Sequence, residues 1–267
     1  MDKQAMLMKL EDIIAANKSL PIASADSDLI RQIQIRFRDL GLPVGEVDGE
    51  YGRNTAWCFS RFCKAFNQPD EKITSDIAKL LIETKQLPLL KADDSTFQFA
   101  LKIVLEFEGG FSEDPQDKGG ATNYGITHSE YDTWRRKHEQ EPRDIRDISR
   151  DEVKAIYHDN YWDASSCHKM IDRVAICVFD WSVNAGVKQG IKTLQDCLEV
   201  ESDGELGPVT EAALHKAIEQ PNTESLLLKN YLARRIECYR RWGVNSQSVF
   251  LKGWLARVEK LRYFLGV

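Results

Sequence analysis

Residues Leu105 to Thr127 read LEFEGGFSEDPQDKGGATNYGIT, a run crowded with glycines and carboxylates that suits neither helix nor strand interior. Its place in the chain makes it informative. Upstream, Gln98, Lys102 and Glu106 recur every four residues, while Phe97, Phe99, Ala100, Leu101, Ile103, Val104, Leu105 and Phe107 cover the remaining surface. That pattern predicts a largely buried helix from Ser95 that the Gly109–Gly110 pair ends.

At about 100° per residue, Glu108 falls roughly 120° from the centre of the polar stripe, on the apolar arc of the last turn. Desolvation there and the negative end of the helix dipole are both expected to raise its pKa. A carboxyl kept protonated near neutral pH can donate a proton, which the general acid of glycoside hydrolysis must do. Glu113, Asp114 and Asp117 follow in a polar loop that suits ionised carboxylates, and Asp117 could steer a water or stabilise a developing cation. The plainer alternative is a solvated helix end followed by ordinary turn residues. The conjunction of buried-side acid, double-glycine break and acidic loop favours chemistry.

Outward from this segment, helical periodicity dominates. Toward the N-terminus, helices are predicted over Asp26–Leu40, about Asn54–Phe66 and about Thr74–Thr84, three elements around one small core. The stretch QLPLLKADDST breaks the pattern and is read as a domain boundary. Toward the C-terminus, helices are predicted over about His128–His138, Ser149–Tyr161, Ile171–Ala185, Gln189–Cys197, Val209–Ile218, Thr223–Arg241 and Val249–Phe264, with one small hairpin at most. DGEYGRNT at Asp48–Thr55 is echoed by DGELGPVT at Asp203–Thr210, which suggests two related helix-turn-helix units.

Composition narrows the function classes. With 267 residues, one or two domains are expected. The net charge of -6 offers no general attraction to polyanions and argues against nucleic acid as the main ligand. No apolar run approaches the roughly 18 residues that span a bilayer, and the N-terminal stretch lacks the basic and hydrophobic regions of a Sec signal. Synthesis in the cytoplasm is expected, with any work outside it needing another export route, such as a membrane pore or a dedicated secretion system. The six cysteines show no CxxC pair, and most read as buried thiols in a reducing compartment. His158, Cys167 and His168 are imaginable metal ligands but lack a matching fourth group, so no metal is assigned.

EGGFSEDPQDKGGATNYGIT, AIYHDNYWD (155–163), FDWSVNAG (179–186) and LQDCLEVESDGELGPVTEAAL (194–214) together resemble glycoside hydrolase family 108, the lysozyme-like N-acetylmuramidases of phage endolysins and secreted effectors. The resemblance implies a lysozyme-like α domain, Glu108 as catalytic acid, and a peptidoglycan-associated C-terminal portion. It also implies hydrolysis of the β-1,4 bond between MurNAc and GlcNAc. Phage-type lysozymes are similar too: Glu108 and Asp117 match their spacing, although Thr122 comes one residue early. Asp117 and Thr122 are therefore both candidates for positioning water, with a loop-structuring role as the alternative for each. Tyr124 is a candidate for stacking on sugar, and Asp180 and Asn184 can face a cleft, whereas Trp181 reads as core. The N-terminal segment is similar to three-helix peptidoglycan-binding domains, with Asp48, Gly49, Gly52 and Thr55 as its candidate module residues or merely as cap and turn.

The expected fold is mainly α, a lysozyme-like catalytic domain with a small three-helix N-terminal peptidoglycan-binding domain. Its parts are an arm (1–25), the binding domain (26–88), the catalytic domain (95–187) and a helical C-terminal portion packed on it (188–267). The expected partner is the peptidoglycan glycan strand, the expected state a monomer, and no cofactor is implied. An immunity protein is expected only for a secreted toxin. A lytic transglycosylase and a non-catalytic wall-binding protein are the rival readings.

Overall fold

Helices α1 (Leu10–Ala15), α2 (Ser27–Asp39), α3 (Arg53–Ala65) and α4 (Ser75–Glu83) form the N-terminal part of the chain, in a computed structural model that describes residues 9–108, 111–112, 121–220, 223–244 and 248–267. The chain divides into two units, residues 1–90 with 218–267 and residues 91–217.

In the first unit, helix α2 starts where Asp26 Oδ1 accepts from the Leu29 amide at 2.8 Å. Its Leu29, Ile30, Ile33 and Phe37 are buried at helical spacing and meet Phe59 and Phe62 of α3 and Ile77 and Leu81 of α4. Burying each such side chain contributes about 1.5–3 kcal/mol. The segment expected as an arm joins this core: Leu10, Ile13 and Ile22 are buried, α1 packs on α4, and β1 (Ser19–Pro21) pairs antiparallel with β2 (Lys72–Thr74). Three-residue strands carry too little alternation to be read from sequence.

The second unit begins with an antiparallel bridge between Lys91 and Ile171 and continues into α5 (Asp94–Leu105). Asp93 and Thr96 form a reciprocal capping box at its start. Seven side chains of α5 are buried, and its packing partner is α8. Then come the hairpin β3 (Thr122–Asn123) and β4 (Ile126–Thr127), α6 (His128–Lys137), α7 (Arg150–Tyr157), α8 (Asp172–Ala185), α9 (Val187–Leu198) and α10 (Pro208–Ile218). The α-helix expected through Tyr161 stops at Tyr157 and gives way to a π-helical turn over His158–Asp163. Hydrophobic periodicity does not distinguish these, because a π-turn adds one residue per turn without breaking the helical run.

Helices α11 (Thr223–Trp242) and α12 (Ser248–Leu265) pack against each other and cluster with residues 1–90. The expected 188–267 portion is therefore divided, its first thirty residues clustering with the second unit. Among the described residues, no helix is long and apolar enough to cross a membrane.

Candidate functional site

Past its last helical residue, α5 keeps hold of the chain. The amides of Glu106 and Glu108 donate to Lys102 and Val104 carbonyls, each at 3.2 Å, and that of Phe107 donates to Val104 at 2.9 Å. Glu108 thus lies three residues beyond Leu105, tethered to the helix end instead of within its last turn. It is half-buried. The flanking glycines, Glu113, Asp114 and Asp117 lie outside the described residues.

The hairpin closes on Glu108 from the other side. Tyr124 and Gly125 form its two-residue turn with φ of 51° and 73°, the left-handed pair that a tight hairpin turn requires. A β-carbon added to Gly125 would lie 2.7 Å from Glu108 Oε2 and 2.9 Å from the Tyr157 hydroxyl, so this position accommodates no side chain without displacement. Tyr157 donates from its hydroxyl to the Tyr124 carbonyl at 2.8 Å. That bond holds a tyrosine in a conformation that costs an L-residue about 1–2 kcal/mol.

Thr122 is paired on both edges. It bonds reciprocally with Ser112 at 2.8 Å and faces Thr127 across the hairpin. Its backbone is thus committed to a small sheet that brings the loop return to within a few residues of Glu108. Asn123 is buried and donates to the Ile145 carbonyl at 3.2 Å.

Sequence reading missed a second acid. Thr127 caps α6 reciprocally with Glu130, whose Oε1 accepts from the Tyr161 hydroxyl at 3.0 Å. Burial pushes the Tyr161 phenol up, and the charges of Glu130 and Glu108 add to the effect, so the phenol remains a donor to Glu130. The available signal was the capping pattern T-x-x-E of Thr127–Glu130, which reads as structure and gives no hint that the acid turns toward Tyr161. A cavity of about 250 Å³ runs along α6, lined by Thr127, Ser129, Glu130, Thr133, Trp134, Lys137 and Asn160. It shares Glu130 with this group but not Glu108, which lies where the hairpin turn, the Tyr157 hydroxyl and the helix end converge.

Asp180 is 1% exposed, so it does not offer its carboxylate to a ligand in this conformation. Asn184, one turn on, is half-buried. Trp181 is buried and its indole donates to Thr193 at 3.0 Å, which makes it core. Cys167 is also buried, its thiol pushed well up by that burial.

The two DGxxGxxT turns are built alike, each around a buried glutamine. Gln34 Nε2 donates to Asp48 Oδ1 at 2.8 Å, Glu50 O at 3.1 Å and Thr55 Oγ1 at 3.0 Å, while Gln34 Oε1 accepts from the Gly49 amide at 2.8 Å. Gln195 repeats the set with Asp203 at 2.6 Å, Glu205 at 3.0 Å, Thr210 at 3.1 Å and the Gly204 amide at 2.8 Å. Asp48, Gly49 and Thr55 therefore hold the turn, while Gly52 is exposed at the start of α3. Both aspartates are held below the usual carboxylate range, first by the glutamine.

Residues 101–186 match the sequence model of the family described as Glycosyl hydrolase 108, and residues 189–259 match that of the Predicted Peptidoglycan domain. Together they indicate peptidoglycan hydrolase activity and support peptidoglycan as the ligand. The matched peptidoglycan domain follows the hydrolase segment, and residues 1–100 lie outside both matches. The solved structure of Brucella abortus SagA is similar, with 28% identity and a TM-score of 0.51 over 64% of this chain and 93% of SagA. No curated protein matches. The fold is mainly α and lysozyme-like, with a peptidoglycan-binding portion.

Proposed function

We propose that the protein is an N-acetylmuramidase that hydrolyses the β-1,4 bond between MurNAc and GlcNAc, with Glu108 as the general acid. The carrying observation is the approach of Glu108 Oε2 to the Tyr124–Gly125 turn, where an added β-carbon would meet it at 2.7 Å. A carboxyl between a helix end and a strained turn is held in place before substrate arrives, and positioning of this kind supplies much of a catalytic acid's advantage.

Glu108 protonates the glycosidic oxygen as the bond breaks, and water attacks the sugar. Thr122, on the paired strand, and Asp117 are the groups proposed to position that water. Tyr124 is proposed to stack on a sugar ring, with Asn184 as a weaker contact.

The N-terminal unit is proposed as a wall anchor. Its Gln34-centred turn is built like the Gln195-centred turn, which lies inside the segment matching the Predicted Peptidoglycan domain. An anchor suits an enzyme whose net charge of -6 does little to capture an anionic wall. The wall is the proposed site of action, reached from the cytoplasm by a pore or a secretion system. An endolysin or a secreted lytic effector fits this reading, and only the effector calls for an immunity partner.

Glu108→Gln in the full chain is the test. It should abolish lysis of purified sacculi while leaving co-sedimentation intact; retained lysis would overturn the assignment. Mass spectrometry of the wild-type products should show reducing MurNAc ends, whereas anhydro ends would assign a lytic transglycosylase.

A further inference from the structure

We propose that the second unit holds a divalent cation of the zinc class on its π-helical turn, with His158, Asp159 and Asp163 as ligands. One ligand atom from each lies within 4.8 Å of the others. His158 Nδ1 is 3.3 Å from Asp163 Oδ2 and 4.0 Å from Asp159 Oδ1. A tetrahedral zinc with bonds of about 2.0–2.2 Å separates its donors by roughly 3.3–3.6 Å, so only a small closure is needed.

The π-turn is what creates the group. On an α-helix, residues five apart project about 140° from each other, and His158 and Asp163 would face different surroundings. Opening the turn to an i→i+5 pattern brings them onto one face. Such turns are frequent at functional sites.

The ligands are already supported. Asp159 Oδ2 accepts from the Trp134 indole at 2.9 Å and lies 3.3 Å from His138 Nε2, which leaves Oδ1 directed to His158. Ligating carboxylates are regularly held by such outer-shell hydrogen bonds at metal sites. The His158 ring meets Phe97 edge-on at 4.8 Å, an apolar wall on one side. Asp163 is also 3.9 Å from His168 Nδ1. Cys167, the nearby thiol, is buried and directed to the Ala175 carbonyl at 3.8 Å, so it is not part of the group. One imidazole with two carboxylates favours zinc-class ions over magnesium, which prefers an all-oxygen octahedron.

Untagged, chelator-treated full-length protein titrated with Zn²⁺ in a calorimeter should bind one equivalent. His158→Ala and Asp163→Asn should each weaken binding at least about tenfold, whereas His128→Ala should not. Circular dichroism of the metal-free variants, matched to metal-free wild type, separates ligand loss from misfolding. Absence of saturable 1:1 binding by the wild type would show an ion pair only and overturn the proposal. So would unchanged affinity in Asp163→Asn, or displacement of Zn²⁺ by an equal concentration of Mg²⁺.

Discussion

Glu108 and Gly125 meet without room for a methyl group: a β-carbon on Gly125 would lie 2.7 Å from Glu108 Oε2. Gly125 also holds φ at 73°, where other residues are strained. The helix end and hairpin turn are therefore matched through a residue that is neither acid nor base.

Gly125→Ala should leave the fold intact and cripple the enzyme. Displacing a catalytic group by about 1 Å can cost on the order of 10²-fold in rate, and the left-handed turn adds about 1–2 kcal/mol of strain. Lysis of sacculi and a thermal melt, measured together, check this. Wild-type turnover in the variant would mean that the contact does not set the position of Glu108.

Gln34→Ala and Gln195→Ala should destabilise their units to a similar degree. Each removes the centre of a four-bond network and strands a buried glycine amide, Gly49 or Gly204, at about 1–3 kcal/mol for an unsatisfied buried group. Chemical denaturation of both variants tests the parallel. If only one loses stability, the repeated turn is not one structural device.

Asp48 should contribute to acid sensitivity. The Gln34 side chain, aided by the Glu50 amide, holds its carboxyl below the usual value. The folded state therefore binds the proton less readily than the unfolded chain. That contribution is complete above the unfolded pKa of about 3.9 and is lost as pH falls through the lower folded value. The melting difference between wild type and Asp48→Asn should accordingly shrink between pH 6 and about pH 2. A difference that stays constant across that range would assign the carboxylate no linkage.

Removing residues 1–90 should weaken co-sedimentation with sacculi. Because α11 and α12 cluster with those residues, the truncation should also raise hydrogen exchange across 223–265. Unchanged exchange would show that the two helices stand without the N-terminal segment. Unchanged sedimentation would remove the anchor reading.

The helices were legible because burial periodicity is local. Ile30, Ile33 and Phe37 mark the inner face of α2, and Gln98, Lys102 and Glu106 mark the outer face of α5, with no knowledge of their partners. Gln34 was not legible as a site: a buried amide is meaningful only with Asp48, Gly49 and Thr55 folded around it. The same holds for Glu130, which sequence reads as half of a capping box and the structure joins to Tyr161 at 3.0 Å.

The sequence by itself determined that the chain is mainly α, that a largely buried helix leads up to the Glu108 segment, and that a DGxxGxxT turn occurs twice. These depend on hydrophobic spacing and on residues whose backbone preferences are their own. Tertiary structure alone decided that Gly125 and Tyr157 close on Glu108, that Asp180 is inside, and that a π-turn sets His158 beside Asp163. Proximity between segments follows from how the helices pack, and packing distance is not encoded in the order of residues along any one of them.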